Sequence, residues 1–452
     1  MFRFAPILAL VAGILLSAQG APTLPGWPPG TFSSRAALDA TVSGHAMVTA
    51  LLSASGNTAG PSNSVVNYAP FVQSIAITSY NGTTATRDTP IASAGTINNL
   101  TIRVGNAVAS GTWAFTLEKN DADTLLTCSI TGSAQACADT THSVSVVAGD
   151  VLSWKTDPGG TTPTAQTVLQ IGTVFTSTNN GESFIQVPYG GGASTAAVQY
   201  QGVAPIAPSA TEVNVSSVVP TAGTLDQLYV WASTAPGASK NWTVTVYHGG
   251  SATSLVCTMT GTGSANQKCN DTNTGHAFTV AANDLISIRV CPGTESGGVC
   301  TVTTPGAANV TASLRWVPTV PGEAMYFMNS ATLGTVTTAA YANLNGGGFN
   351  NSGTEANNYD IAPNAATLKK LFIQQSTDPG NTITRTYTVR KNTASAGITC
   401  TITGNGSTGT SCNDTSNSYL TSLNDTLDLQ TTASNTTAAQ SYVKAGIVAY
   451  IP

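Results

Sequence analysis

A seven-residue phrase built around one cysteine occurs three times: Leu126-Thr-Cys-Ser-Ile-Thr-Gly132, Leu255-Val-Cys-Thr-Met-Thr-Gly261 and Ile398-Thr-Cys-Thr-Ile-Thr-Gly404. Nine or twelve residues after each Cys comes a second one, Cys137, Cys269 or Cys412, in a Cys-x-Asp-Thr turn. The copies stand 129 and 143 residues apart, so the repeating unit is the size of a domain rather than of a hairpin. A chain that repeats a strand, a turn and a returning cysteine at this interval is expected to fold as three copies of one stapled β domain.

Other segments recur in the same order around these phrases. Each copy opens on a related tetrapeptide, Gly44-His-Ala-Met47, Gly181-Glu-Ser-Phe184 or Gly322-Glu-Ala-Met325. Trp113-Ala-Phe-Thr-Leu117 is matched by Trp242-Thr-Val-Thr-Val246 and Arg385-Thr-Tyr-Thr-Val389, and an Asp (Asp150, Asp284, Asp425) precedes a later strand. The copies are placed at 44–180, 181–321 and 322–452, with boundaries in the turn-rich stretches Ser177–Asn180 and Pro318–Pro321.

Inside each copy the apolar period is two. Leu126, Cys128 and Ile130 alternate with Thr127, Ser129 and Thr131, and Val244 and Val246 alternate with Thr243 and Thr245. That pattern belongs to strands with one face on a core. The first Cys of each pair therefore points inward, and its disulfide is expected to pin a hairpin from the core side. Ser33 to Leu51 holds the one helical spacing, broken at Val42-Ser-Gly44, so at most a short helix is expected there. The fold class is all-β: three tandem β-sandwich repeats, jelly-roll-like, because each copy exceeds the roughly 100 residues of an immunoglobulin-like sandwich and has no Cys…Trp…Cys pattern.

Residues 1–20 read as a signal peptide, with Arg3 ahead of the apolar run Ala5 to Ala18 and small residues at Ala18 and Gly20. Residues 21–43 read as a Pro-rich linker. The apolar run is shorter than the ~20 residues a bilayer span needs, so no membrane span is expected after signal removal. Eight cysteines in an exported chain imply disulfides, paired by proximity as Cys128–Cys137, Cys257–Cys269, Cys291–Cys300 and Cys400–Cys412. Each closes a loop of about ten residues, worth roughly 2.5–3 kcal/mol in the chain-entropy model. No Cys-x-x-Cys pair occurs, which argues against zinc.

Only 8% of the 452 residues are charged, with 16 basic, 21 acidic and a net charge of −5. Hydroxyls and amides must hydrate the surface instead, and no basic stripe exists to displace counterions, so nucleic acid is excluded as a partner.

The order Thr-Leu-x-x-Leu, Arg-Lys-Asn, Cys-Thr-Ile-Thr-Gly, Cys-x-Asp-Thr and Asp-x-Leu, clearest from Thr367 to Leu427, resembles a tandem disulfide-stapled repeat of uncharacterised exported or phage-associated proteins. In size and strand content each copy is similar to the jelly rolls of tumour necrosis factor and the complement globular heads. That likeness implies trimeric packing, which three tandem copies could satisfy within one chain as a pseudo-threefold head, or through oligomers.

No catalytic constellation accompanies the repeat. His45, His142, His248 and His276 occupy different repeat positions, and none falls in the third copy. Asp139, Asp271 and Asp414 recur, as do Asp150, Asp284 and Asp425; a feature needed by every copy belongs to the fold, and an Asp in such a turn accepts backbone N–H bonds. Calcium is the alternative for these oxygen-rich turns, with no ligand set to name and no other cofactor implied. Trp113 and Trp242 are expected in the core. Tyr189, Tyr200, Tyr229, Tyr247, Tyr341 and Tyr359 are less regular and suit a sugar-binding surface with the abundant Asn and Thr. Asn-x-Ser/Thr sequons include Asn81, Asn99, Asn214, Asn241, Asn309, Asn405 and Asn435. The expected function is a non-enzymatic exported surface protein for display, adhesion or assembly, extracellular or at a cell surface, with a surface glycan or protein as partner. The alternatives are a virion surface protein (spike, fibre head or decoration) and a secreted carbohydrate-binding module.

Overall fold

The computed structural model describes residues 48–54, 61–71, 82, 87–166, 168–179, 181–188, 191–204, 206–333, 339–346, 354–408, 410–435, 437–439 and 441–451. The signal peptide, the Pro-rich linker, the tetrapeptide at Gly44, His45, Asn81 and Tyr189 lie outside the described residues. Residues 46–452 form one compact unit.

Among the described residues the first segment contains β1 (Val48–Ala54), β2 (Asn67–Pro70), β3 (Thr89–Pro90), β4 (Gly95–Val104), β5 (Thr112–Lys119), β6 (Ala122–Thr131), β7 (Ala136–Val146), β8 (Val151–Asp157) and β9 (Leu169–Ser177). The second contains β10 (Ser183–Val187), β11 (Gln199–Gln201), β12 (Ser217–Val218), β13 (Gly223–Ala232), β14 (Gly237–His248), β15 (Ser251–Gly261), β16 (Lys268–Asp271), β17 (Phe278–Val280), β18 (Leu285–Cys291), β19 (Gly293–Ser296), β20 (Val299–Val302) and β21 (Val310–Pro318). The third contains β22 (Glu323–Leu333), β23 (Ala340–Ala342), β24 (Asp360–Ile361), β25 (Thr367–Gln375), β26 (Thr384–Lys391), β27 (Ala394–Thr403), β28 (Ser411–Leu420), β29 (Thr426–Ala433) and β30 (Ser441–Tyr450). Helix among the described residues is confined to short 3-10 turns such as Glu212–Asn214. The helical spacing near Leu51 does not become a helix over 48–54, where β1 pairs with β9 instead.

One strand order recurs. The first segment pairs β1-β9-β4-β7 in one antiparallel sheet and β2-β8-β5-β6 in the other, with β3 beside β8. The second pairs β10-β21-β13-β16 and β11-β18-β14-β15; the third pairs β22-β30-β25-β28 and β23-β29-β26-β27. Apart from the β5–β6, β14–β15 and β26–β27 hairpins and the short edge strands, successive strands cross between the two layers, which is the wiring of a jelly roll. Each pair of sheets encloses its own core: Trp113, Phe115 and Trp154 in the first, Trp242 and Trp316 in the second, Tyr326 and Tyr387 in the third. Trp113 and Trp242 are fully buried, and the matching position in the third core is the buried Arg385, which donates to the Ala439 carbonyl at 2.9 Å.

Local chemistry selects these strands. In β6 the inward residues Leu126, Cys128 and Ile130 are buried while Thr127, Ser129 and Thr131 are exposed. The outward threonines pair across strands, Thr116 with Thr127 at 3.0 Å and Thr386 with Thr401 at 2.9 Å, so hydroxyl ladders take the place of surface charge. The hairpins β5–β6, β14–β15 and β26–β27 turn through Asn120-Asp121, Gly249-Gly250 and Asn392-Thr393, all at positive φ, the two-residue turn whose twist matches the strands.

The three sandwiches pack in a ring. The short strand β3 lies on β13 and β21 of the second sandwich; β12 lies on β22, β25 and β30 of the third; β24 lies on β1, β4 and β9 of the first. Gly172, Ser313 and Gly446 occupy one register position on the receiving sheets, opposite Thr101, Tyr229 and Phe372. A Cβ on Gly172 would strike the Ile361 carbonyl, and one on Gly446 the Val218 carbonyl, so the small residue permits the close approach. Hydrogen bonds cross two of the joints: between the first and second sandwiches Thr311 Oγ1 donates to the Asp88 carbonyl at 2.9 Å, and between the second and third Asn329 Nδ2 donates to the Val215 carbonyl at 2.7 Å. The Gly-Glu pairs that open the second and third copies act here. Glu182 accepts from Ser93 at 2.7 Å, and Glu323 accepts from Thr221 at 2.5 Å and from Lys370 at 2.7 Å.

Candidate functional site

The cysteines that dominate the sequence lie at sandwich edges. Cys128 on β6 joins Cys137 on β7, Cys257 on β15 joins Cys269 on β16, and Cys400 on β27 joins Cys412 on β28. Each pair has its two strands in different sheets. The expectation of a pinned hairpin is corrected: the bonds are rivets between layers at the open side of each sandwich. The spacing of nine or twelve residues fits a crossover as well as a hairpin, so spacing alone could not separate them. The first Cys of each pair is buried, as the alternation requires.

The recurring Asp doubles each rivet. Asp139, on β7, accepts from the backbone N–H of Thr127 on β6 at 3.2 Å and from those of Thr141 and His142 at 3.1 Å. Asp271 accepts from Val256 and Asn273, and Asp414 from Thr399 and Asn417, in the same arrangement. Burial works to raise the pKa of these carboxyls, but the converging hydrogen bonds outweigh it and hold all three below the ordinary carboxylate range. The histidines prove less scattered than the sequence indicates: His142 sits on Asp139 at 2.9 Å and His276 on Asp271 at 2.7 Å, where Asn417 serves Asp414 at 3.0 Å. Their backbone offsets differ, three residues in one copy and five in another, which hides the equivalence in a linear alignment. Asp150, Asp284 and Asp425 each accept the N–H three residues earlier, closing the turn into β8, β18 and β29.

Fully buried acids form a second class. Asp360 lies at the joint between the third and first sandwiches, with one oxygen accepting from the Asn345 N–H at 2.9 Å. Burial pushes it up to about 7. Burial likewise pushes Asp88 to about 7 and Asp428 to about 9.

The fourth disulfide has no counterpart in the other copies. Cys291 at the end of β18 holds Cys300 of the β19–β20 hairpin. Arg289 fastens the same hairpin, donating to Glu295 at 2.5 Å and to the Gly298 carbonyl at 2.8 Å. Tyr200 and Tyr341, together with Tyr68, prove to be regular after all: each faces β8, β18 or β29 at one register position, opposite Lys155, Arg289 and Gln430.

Between the first and second sandwiches a cleft of about 550 Å³ remains open. Pro90 and the turn Ala148 to Val151 form one wall; Tyr229 and Trp231 of β13 with Lys268 and Asn270 of β16 form the other. The alternation of β13 sends Leu228 and Val230 into the core and leaves Tyr229 and Trp231 half-buried on the outer face. Pairing then sets Asn270 beside Tyr229 and Lys268 beside Trp231. Lys268 and Asn270 are both exposed. Gly149 completes the opening. Its N–H donates to Ile91, as Asn283 does to Val219 and Asn424 to Ala362, so the three residues are equivalent, and all have positive φ. At the joint between the second and third sandwiches the Asn283 side chain accepts from Gln374 at 3.0 Å, and Gln374 stands where Trp231 stands. With glycine at 149, no side chain reaches across from that turn; the Tyr229 ring instead packs toward the first core, and a Cβ added at 149 would meet it at 3.4 Å.

Of this cleft the sequence pointed to Tyr229 alone as a binding residue, with Asp150 and Cys269 assigned to the fold. Trp231, Lys268 and Asn270 are outward positions whose partners depend on another sandwich; the available signal was an aromatic pair in Leu228-Tyr-Val-Trp-Ala232 that the other two copies lack. Among the described residues no helix is long and apolar enough to cross a membrane. Comparison with protein-family models gives no match, and comparison with curated proteins gives none either.

Proposed function

We propose that this chain is an exported, non-enzymatic surface protein whose ring of three stapled jelly rolls is a head for display, adhesion or assembly, extracellular or at a cell surface. The observation that carries this reading is the double rivet, a disulfide beside a buried Asp, repeated at the open edge of every sandwich. Disulfides persist in oxidising compartments, and a cross-linked sandwich resists the unfolding and proteolysis met outside a cell. The recurring acids accept backbone N–H groups that tie their strands together, and two of the histidines sit on those same acids, which supports a structural role for them. Immunogold electron microscopy of native material tests the proposal. Label along a cell or particle surface supports it, with particle label specifying the virion case. Label confined to the cell interior, or hydrolysis of a glycan or ester by the purified protein, overturns it.

A further inference from the structure

The cleft between the first and second sandwiches has a composition that selects a class of ligand, and this step goes beyond the surface-head reading because it holds wherever the protein resides. A pyranose ring offers an apolar C–H face and a rim of hydroxyls. The wall of β13 and β16 offers the complement: the aromatic side chains of Trp231 and of Tyr229, the latter also packed toward the first core, an amide at Asn270 that can donate and accept, and an ammonium at Lys268 that donates only. The volume of about 550 Å³ lies within the ~300–1,000 Å³ of small-molecule sites. All four side chains project from paired strands of one sheet, so their spacing is fixed before a ligand arrives.

We propose that the cleft formed by Tyr229, Trp231, Lys268 and Asn270 against Gly149 is a carbohydrate-binding site for one or two pyranose rings, stacked on the aromatic wall with the polar pair on their hydroxyl rim. Lys268 has no ion-pair partner among the described residues, and Asp150 across the cleft is already held by Lys119 and Asn120. The ammonium is therefore available to a sugar carboxylate, and uronic or sialic acids bind more tightly than neutral hexoses. The other two joints do not share the site: Phe372 and Gln374, or Thr101 and Arg103, stand where Tyr229 and Trp231 stand.

The test uses the full chain with disulfides intact and methyl glycosides of glucose, galactose, N-acetylglucosamine, glucuronic acid and N-acetylneuraminic acid at millimolar concentration. Saturation-transfer NMR detects binding and a tryptophan-fluorescence titration gives affinity. Trp231→Ala weakens binding more than about tenfold, whereas Trp231→Phe keeps most of it. Gly149→Asn installs the residue found at the matching turns, tolerates the positive φ and blocks the cleft, removing binding without lowering the melting temperature by more than about 2 °C. Lys268→Ala removes the preference for the acidic sugars. Absence of binding by all five glycosides, or binding unchanged in both Trp231→Ala and Gly149→Asn, overturns the proposal. Glycan binding by a protein found only inside cells would sink the surface reading and leave the site standing; surface label with a silent cleft does the reverse.

Discussion

Asp414 carries more than its size suggests, because one carboxylate gathers backbone N–H groups from two sheets. Asp414→Ala leaves those donors without a partner and is expected to cost about 2–3 kcal/mol, read as a lower urea midpoint at unchanged m-value. Asp360 has the opposite sign. It is fully buried, and its other oxygen has no hydrogen-bond partner among the described residues. Asp360→Asn keeps the acceptor for Asn345 without a charge, so it is expected to leave stability nearly unchanged at pH 5 and to raise it at pH 8. Thermal melts at both values check this; a lower melting temperature at pH 8 would refute it. The importance of the turn acids was legible because three copies kept them at one position. The buried acids were not, since Asp88, Asp360 and Asp428 sit in unlike local sequences and owe their burial to neighbouring strands.

At the scale of elements, the rivets make a prediction that a hairpin pin would not. Replacing Cys400 and Cys412 together by Ala is expected to lower stability by roughly 2.5–3 kcal/mol. Because β27 and β28 belong to different sheets, amide exchange should accelerate in both edge strands, not only in the turn between them. Protection lost over residues 404–411 alone would contradict the inter-sheet assignment. Strand identity was readable from alternation, as in Leu126 to Thr131. Which sheet each strand joins was not, because that depends on contacts far along the chain, such as β4 with β9.

For the molecule, ring closure rests on small residues. Gly446→Val should force the Val218 carbonyl away and separate the third sandwich from the second, seen as a larger radius of gyration in small-angle scattering. Gly160→Val, where nothing lies within 4 Å of an added Cβ, is the control and should leave the radius unchanged. The joints themselves were illegible in the sequence, since nothing in the segments around Gly172 and Gly446 marks which distant strand approaches them. The pH response is also a molecular property. Carboxyls held low in the fold (Asp139, Asp271, Asp414, Glu323) contribute stability above the ordinary carboxyl pKa and lose it as acid is added. Carboxyls held high (Asp88 and Asp360 at about 7, Asp428 at about 9) contribute fully below that pKa and lose it as pH rises toward those values. The melting temperature should therefore peak at about pH 4–5 and decline toward pH 8, and a flat profile across that range would contradict these assignments.

A ring made from separate identical chains carries every substitution three times. Here the three joints are encoded separately, so glycine at 149 could open one gap while asparagine stays at 283 and 424. If the cleft binds sugar as proposed, each molecule is univalent there. Any multivalent grip on a surface must come from the number of molecules arrayed together, and the spacing of that array, rather than the affinity of one cleft, would set the strength of attachment.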